Sequence, residues 1–294
     1  MKKELKKFFG TSDIPVFDYD IADLDSLALD LIKAQTTITG VQPKLSLHVE
    51  KHVGGSRLTI VGLQGDYIFK PQCEQFAQLP ENEYLTMTLA GIARIATVPF
   101  CLIQARDLSY GYITKRIDRK ENGEKVRMED LCQLTQRMTE HKYNCSYEQV
   151  ARTIAQYSGV PKLDVIQLYR LLIFCFLTGN NDMHLKNFSL YENSLGQIRL
   201  SPAYDLVNVA IANPADEEQM ALSLNGKKKG IVGADFIAAA AKSGIVEKTV
   251  RKIIAEFEGL LPKFESAIMS SLLSEDLKAD YLRILKMRLA ASAL

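Results

Sequence analysis

The stretch Gly179-Asn180-Asn181-Asp182-Met183-His184-Leu185-Lys186-Asn187-Phe188 constrains this chain more than any other. It follows an apolar run from Leu163 to Leu177 with the length of a buried helix. It precedes two β-prone runs, Phe188 to Tyr191 and Gln197 to Leu200, joined by Glu192-Asn193-Ser194-Leu195-Gly196. Asp182, His184 and Asn187 are therefore expected in a polar loop between rigid supports. Polar side chains beside a core need water, one another or a ligand. A turn built from Asn and Asp is the plain alternative. Asp205, in Ser201-Pro202-Ala203-Tyr204-Asp205-Leu206, favours the ligand, because a hairpin returns its end to its start and so brings Asp205 towards Asn187.

An Asp five residues before an Asn, then a hairpin and a second Asp, is the spacing by which kinases place a base and two oxygen ligands for magnesium. Mg²⁺ takes hard oxygen donors and completes its octahedron with phosphate oxygens and water, so one amide oxygen and one carboxylate suffice. On this reading Asp182 takes or orients the proton of an attacking hydroxyl. Asn187 and Asp205 hold the metal, and His184 stands beside the transferring group as a donor or a brace. Developing phosphoryl charge also needs a cation from elsewhere. Lys70 fits, at the end of Asp66-Tyr67-Ile68-Phe69-Lys70, with Glu83 or, as second choice, Glu81 to hold it in position; a solvated strand-end lysine is the alternative.

Short β-prone runs at Leu45 to Glu50, Arg57 to Leu63 and Tyr67 to Lys70 predict a small antiparallel meander. A helix opening at Pro80-Glu81-Asn82-Glu83 and two further strands, Pro99 to Ala105 and Tyr110 to Ile117, complete a five-strand sheet with one helix. A helix-like stretch covers Asp20 to Ala34. Thr36 to Lys44 interrupts it with Gly40 and Pro43 and could present backbone N–H groups to phosphates, with Lys44 adding charge. A phosphate on Thr37 or Thr39 would put a dianion there. Beyond Asp118 helices dominate, at Tyr147 to Gln156, Leu163 to Leu177 and in four stretches after Gly233. The fold class expected is α+β: a β-rich N-lobe over residues 1–117 with a connector at 113–117, and a mostly helical C-lobe over 118–294.

Lys and Arg number 36 against 35 Asp and Glu, a formal charge of +1, so no excess field exists to hold nucleic acid or a membrane surface directly. Five cysteines without a CxxC pair, mostly in apolar surroundings, suit thiols in a reducing compartment. No run of 18 apolar residues occurs and no signal-like segment follows the basic start, so the expectation is a cytoplasmic protein. His48, His52 and His141 lack partners at metal-ligand spacing. Lys227-Lys228-Lys229 reads as a solvated loop and Ala238 to Ala241 as close helix packing.

Several of these segments together resemble the HipA-type serine/threonine kinases, toxins of bacterial toxin-antitoxin systems. They are Thr37-Ile38-Thr39-Gly40-Val41-Gln42-Pro43-Lys44, Asn82-Glu83-Tyr84, Arg116-Ile117-Asp118-Arg119, Glu129-Asp130-Leu131-Cys132-Gln133, Gly179 to Ser189 and Leu200 to Asp205. The resemblance implies a two-lobed protein-kinase-like fold, ATP and Mg²⁺ as cofactors, and Asp182 as catalytic aspartate. It places His184, Asn187 and Asp205 at nucleotide and metal positions, Lys70 at the ATP lysine, and Thr39, Gly40, Val41, Gln42 and Lys44 in the phosphate loop. Lys115 to Ile117 falls on the adenine-contacting connector, and Tyr204 flanks the metal aspartate. It further implies phosphorylation of an aminoacyl-tRNA synthetase and self-phosphorylation at Thr37 or Thr39. Only residues 1–35 precede the loop, which resembles the short HipT branch. There a HipS-like small protein supplies the missing N-terminal subdomain and a HipB-like helix-turn-helix antitoxin completes the complex. The competing readings are a small-molecule phosphotransferase of the aminoglycoside or choline kinase sort, and an inactive kinase-fold binding module.

Overall fold

The computed structural model describes residues 2–20, 24, 43–62, 65–120 and 123–293. The chain is α+β and divides into two compact units, Met1–Tyr84 with Val98–Lys125, and Leu85–Thr97 with Val126–Leu294. The second unit thus takes in Leu85–Thr97, inside the stretch read as N-lobe.

In the first unit, helix α1 (Lys2–Phe9) precedes strands β1 (Leu45–His52), β2 (Gly55–Val61) and β3 (Tyr67–Lys70), then helix α2 (Leu79–Ile92), whose later turns group with the second unit, and strands β4 (Phe100–Gln104) and β5 (Tyr110–Lys115). The five strands are those expected, but their order is β2-β1-β3-β5-β4, so the first three do not form a meander. Strand β3 pairs with β1, Leu45 opposite Phe69 and Leu47 opposite Tyr67, and β1 is left between its two neighbours. Gly65 permits this. Its N–H donates to the Ser46 hydroxyl at 2.9 Å, and a Cβ there would meet the Leu47 carbonyl oxygen at 2.5 Å and the Leu47 nitrogen at 2.8 Å. Leu45, Leu47, Leu58, Phe69 and Ile113 form the core face, joined by Phe9, Phe17 and Leu24. Phe8 and Phe9 pack on the Tyr67 ring at 5.5 and 5.4 Å, so the polar start of the chain ends in an aromatic anchor. Of the expected Asp20 to Ala34 helix, all but Asp20 and Leu24 lie outside the described residues.

The second unit holds strand β6 (Met128–Asp130), helices α3 (Leu131–Leu134), α4 (Tyr147–Tyr157) and α5 (Pro161–Leu177), strands β7 (Ser189–Glu192) and β8 (Ile198–Leu200), and helices α6 (Val209–Ala212), α7 (Gly233–Lys242), α8 (Glu247–Met269) and α9 (Glu275–Ser292). Helix α5 is buried on nearly every side from Leu168 to Leu177, as a helix at the centre of a helical layer must be. Its first turn starts with Pro161, whose missing N–H costs nothing there.

Three helices, not four, follow Gly233. Helix α8 runs unbroken through Pro262, held by buried Ile253, Ile254, Phe257, Phe264 and Ile268, so core packing outweighs the one backbone bond a proline removes. The hairpin also gains a third strand: Asp130 pairs with Ser189 and Met128 with Tyr191. Three residues are too few to show a period. Lys227, Lys228 and Lys229 are not simply solvated, since each reaches an acid: Asp235, Glu218 and Glu217 respectively. Ala239 and Ala240 are fully buried in α7, and Cys101, Cys132 and Cys175 are buried free thiols. Among the described residues no helix is long and apolar enough to cross a membrane.

Gly65→Ala is expected to destabilise the protein by about 1–3 kcal/mol, because backbone atoms of a central strand must move to admit the methyl group. A urea unfolding curve with an unchanged midpoint would refute that account of the strand order.

Candidate active site

Two clusters of sequence-predicted residues form, one in each unit. In the first, strand alternation puts Tyr67 and Phe69 into the core and turns Ile68 and Lys70 to the other face. Lys70 is only 3% exposed, and its ammonium meets both Glu83 oxygens, at 2.6 and 2.8 Å. The Tyr112 ring lies 5.4 Å from the same nitrogen. Of the two acids considered, Glu83 makes this pair. Burial raises the pKa of Glu81, and its Oε2 finds no partner among the described residues. Lys115 and Arg116 already donate their backbone N–H groups, to Pro99 and Asp66 at 2.9 and 2.8 Å. From the 115–117 stretch an adenine edge would therefore have to use a carbonyl or the N–H of Ile117. Lys44 is half-buried just before β1, while 36–42, with Thr37, Thr39, Gly40, Val41 and Gln42, lie outside the described residues.

In the second unit, several hydrogen bonds fix the loop after α5. Gly179 adopts φ +72°, and a Cβ there would collide with the Asn208 side chain, so the turn out of the helix requires glycine. Asn208 caps α6 by accepting from the Ile211 N–H at 3.1 Å, so the start of the loop sits against the segment just beyond Asp205. The Asn181 amide donates to Asp216 at 3.0 Å and to the Glu218 carbonyl at 2.9 Å. The Asp182 N–H donates to Asn180 Oδ1 at 3.2 Å, and the Asp182 carbonyl accepts from Asn187 Nδ2 at 2.9 Å. A carbonyl can only accept, so this bond settles which end of the Asn187 amide is nitrogen and turns its oxygen the other way.

His184 is 6% exposed and its Nδ1 has no partner among the described residues. Burial pulls its pKa down against the upward pull of Asp182 and Asp205, with Lys142 adding to the depression, so the ring is neutral at neutral pH. Asp205 lies close enough to act on both His184 and Tyr204. It has φ +59°, a left-handed conformation that Asp tolerates better than most residues. The Tyr204 hydroxyl is bonded within the protein. It donates to the Lys186 carbonyl at 3.1 Å and bonds the Ser189 hydroxyl at 2.6 Å, bracing the loop from behind. Lys186 pairs with Asp130 at 2.8 Å.

Tyr143 escaped sequence reasoning. Its hydroxyl donates to Asp182 Oδ1 at 2.6 Å and its ring meets the His184 ring edge-on at 5.1 Å. It lies 39 residues upstream in a segment without periodicity, so only the tertiary structure brings it here. Among the described residues no group of three or more His, Cys, Asp and Glu converges. The donors at hand for a hard cation are the Asn187 amide oxygen and the Asp205 carboxylate. That donor set suits magnesium that draws its remaining oxygens from phosphate and water.

Lys70→Met is expected to cost about 3–5 kcal/mol by taking the lysine partner from a buried Glu83 carboxylate, while Lys70→Met with Glu83→Leu recovers most of it. Chemical denaturation of the two single variants and the double variant would show losses that simply add if the pair were not coupled.

The model of the HipA-like C-terminal domain matches residues 36–263. A Haemophilus influenzae protein whose name proposes it to be a kinase is 26% identical over 79% of this chain and 76% of its own length. A second such protein, Y4dM of Sinorhizobium fredii, is 31% identical over 76% of this chain, which spans only 58% of that relative. Among solved structures, a chain from the Shewanella oneidensis complex of the toxin–antitoxin proteins HipA and HipB with operator DNA matches with a TM-score of 0.70 and 22% identity. The match covers 87% of this chain and 65% of that one. The Helicobacter pylori proinflammatory kinase CtkA matches with a TM-score of 0.56 and 17% identity, over 77% of this chain and 87% of its own. The fold is that of these kinase-like proteins.

Proposed function

This chain belongs to the HipA-like C-terminal domain family, and from that premise we propose that it is an ATP- and Mg²⁺-dependent kinase that phosphorylates serine or threonine hydroxyls on protein. The observation that carries the reading is the loop 179–188. Asp182 and Asn187 are locked together by a hydrogen bond that takes the nitrogen end of the Asn187 amide, and Asp205 lies close enough to act on His184.

Bound MgATP supplies the phosphoryl group and the cation that offsets its charge. The chain does the rest. Asp182 would accept the proton of the acceptor hydroxyl as the new O–P bond forms and the bond from the γ-phosphorus to ADP breaks. Asn187 Oδ1 and Asp205 would hold the cation. His184, kept neutral by burial, can donate an N–H to a phosphoryl oxygen without adding charge. Lys70, whose ammonium is held by Glu83, is the cation that the family resemblance assigns to phosphate oxygens. Neutralising charge on the transferring group is the largest contribution such a site makes.

The biological role we propose is that of the toxin of a toxin-antitoxin pair. Family membership supports it, as does the likeness to a HipA chain that assembles with HipB and operator DNA. A HipB-like helix-turn-helix protein is then the DNA-binding partner, in keeping with the near-zero net charge of this chain. The HipT-type branch with its HipS-like partner, an aminoacyl-tRNA synthetase as substrate, and self-phosphorylation at Thr37 or Thr39 rest on the resemblance of the motifs.

Incubation with γ-labelled ATP, Mg²⁺ and a cell extract is expected to put label on protein hydroxyls. Asp182→Asn should lower labelling by at least about a thousandfold with the fold retained by circular dichroism. Label confined to small molecules would point to a small-molecule phosphotransferase instead, and unchanged labelling by the variant would remove Asp182 from the chemistry.

A further inference from the structure

Three of the four polar atoms of Asp182 are committed within the protein. Its N–H donates to Asn180, its carbonyl accepts from Asn187, and its Oδ1 accepts from the Tyr143 hydroxyl at 2.6 Å. Oδ2 alone has no bond among the described residues. A carboxylate can rotate about its Cβ–Cγ bond, and neither backbone bond prevents that. The Tyr143 bond does, and a charge-assisted bond of this length is among the stronger kinds.

Tyr143 is itself held. The Lys142 ammonium lies 5.0 Å from its ring centroid, the His184 ring packs against its edge, and the Lys142 carbonyl accepts from the Leu185 N–H at 3.2 Å. The segment that carries the tyrosine is therefore fastened to the loop that carries the aspartate. Burial, reinforced by Asp182, pushes the hydroxyl well above the ordinary phenol range, so it stays a donor. Yet the residue is 39% exposed.

We propose that Tyr143 is a positioning residue for phosphoryl transfer: it occupies one oxygen of the Asp182 carboxylate and so presents the other, Oδ2, to the incoming hydroxyl in a single orientation. The inference rests on the kinase reading and deepens it. Tyr143 exchanges no proton with the acceptor; the hydroxyl proton passes to Oδ2 while Oδ1 keeps its bond to the phenol. Holding a general base within hydrogen-bond reach in one geometry is what proton transfer in the transition state requires.

The test is Tyr143→Phe in the full chain, which removes the hydroxyl and keeps the ring packing against His184 and Lys142. Labelling from γ-labelled ATP is followed at saturating MgATP and across MgATP concentrations, on whichever protein the wild type labels, its own chain included. The maximal rate is expected to fall about tenfold or more, with the half-saturating MgATP concentration within about twofold of wild type. Asp182→Asn is expected to lose more, and adding Tyr143→Phe to it should change nothing further. An unchanged maximal rate in Tyr143→Phe overturns the inference alone. A rise in the half-saturating MgATP concentration equal to the loss in rate overturns it too, because that marks a general loosening of the loop. A wild-type chain that transfers no phosphate to any hydroxyl overturns the kinase reading, and the positioning role with it.

Discussion

The hydrogen bond from the Asn187 amide to the Asp182 carbonyl is the closure on which the second unit's site depends. It spans five residues and makes one rigid ring of the proposed base and one proposed metal ligand, so neither can move without the other. The bond also sorts the two ends of the Asn187 amide. The nitrogen faces a carbonyl that can only accept, and the oxygen is left for a cation. A glutamine in that place would add a rotatable bond and lose the register. An aspartate would set two acceptors against each other, so asparagine is the residue whose chemistry fits both neighbours at once. The left-handed backbone at Asp205 is strain of the kind that persists only where the surroundings over-determine it, and its neighbour Tyr204 is bonded to both the Lys186 carbonyl and the Ser189 hydroxyl.

The first unit solves a different problem. An ammonium at 3% exposure costs several kcal/mol to desolvate, and the two bonds to Glu83 do little more than offset that loss. Leucine and methionine of similar volume would hold strand to helix as firmly. The pair is therefore poorly explained by stability. It is well explained by the proposed phosphate contact, which needs a charge held in a fixed place beforehand and not one that must be ordered when the substrate arrives. Glu81, two residues away on the same helix, has a raised pKa and no such partner, which separates two acids that the sequence could not rank beyond preference.

Much of the plan was legible. The five strands of the first sheet, the apolar helix that ends at Leu177, and the polar loop with its hairpin all showed their period or their turn residues directly. The order of strands was not legible. It turns on Gly65 passing against the backbone of Leu47, a contact between segments far enough apart that no local pattern encodes it. Strand Met128–Asp130 and helix Leu131–Leu134 were too short to carry a period, and four helical stretches were expected after Gly233 where one helix runs unbroken through Pro262, its interior packing outweighing a missing hydrogen bond. Asp182, His184, Asn187 and Asp205 stood out because they are polar where apolar residues were due. Tyr204 stood out for its neighbour, and its hydroxyl turned out to serve the loop itself.

What sequence reading missed near the loop has a common character: each residue acts sideways, across chain segments, on a group that was itself easy to see. Tyr143 holds the Asp182 carboxylate, Asp130 holds Lys186, and Asp216 holds Asn181. Arg288 completes the set from the last helix. Buried, with its pKa pushed down to about 10 by that burial, it donates to the carbonyls of Phe176 and Gln219 at 2.8 and 3.3 Å. It thus places positive charge at the C-terminal end of α5, where the helix dipole is negative, and ties that end to the segment following the loop. A loop with so many polar atoms survives beside a core because three remote segments, those of Tyr143, Asp130 and Asp216, hold some of them. Such a loop costs the fold several outside residues to maintain.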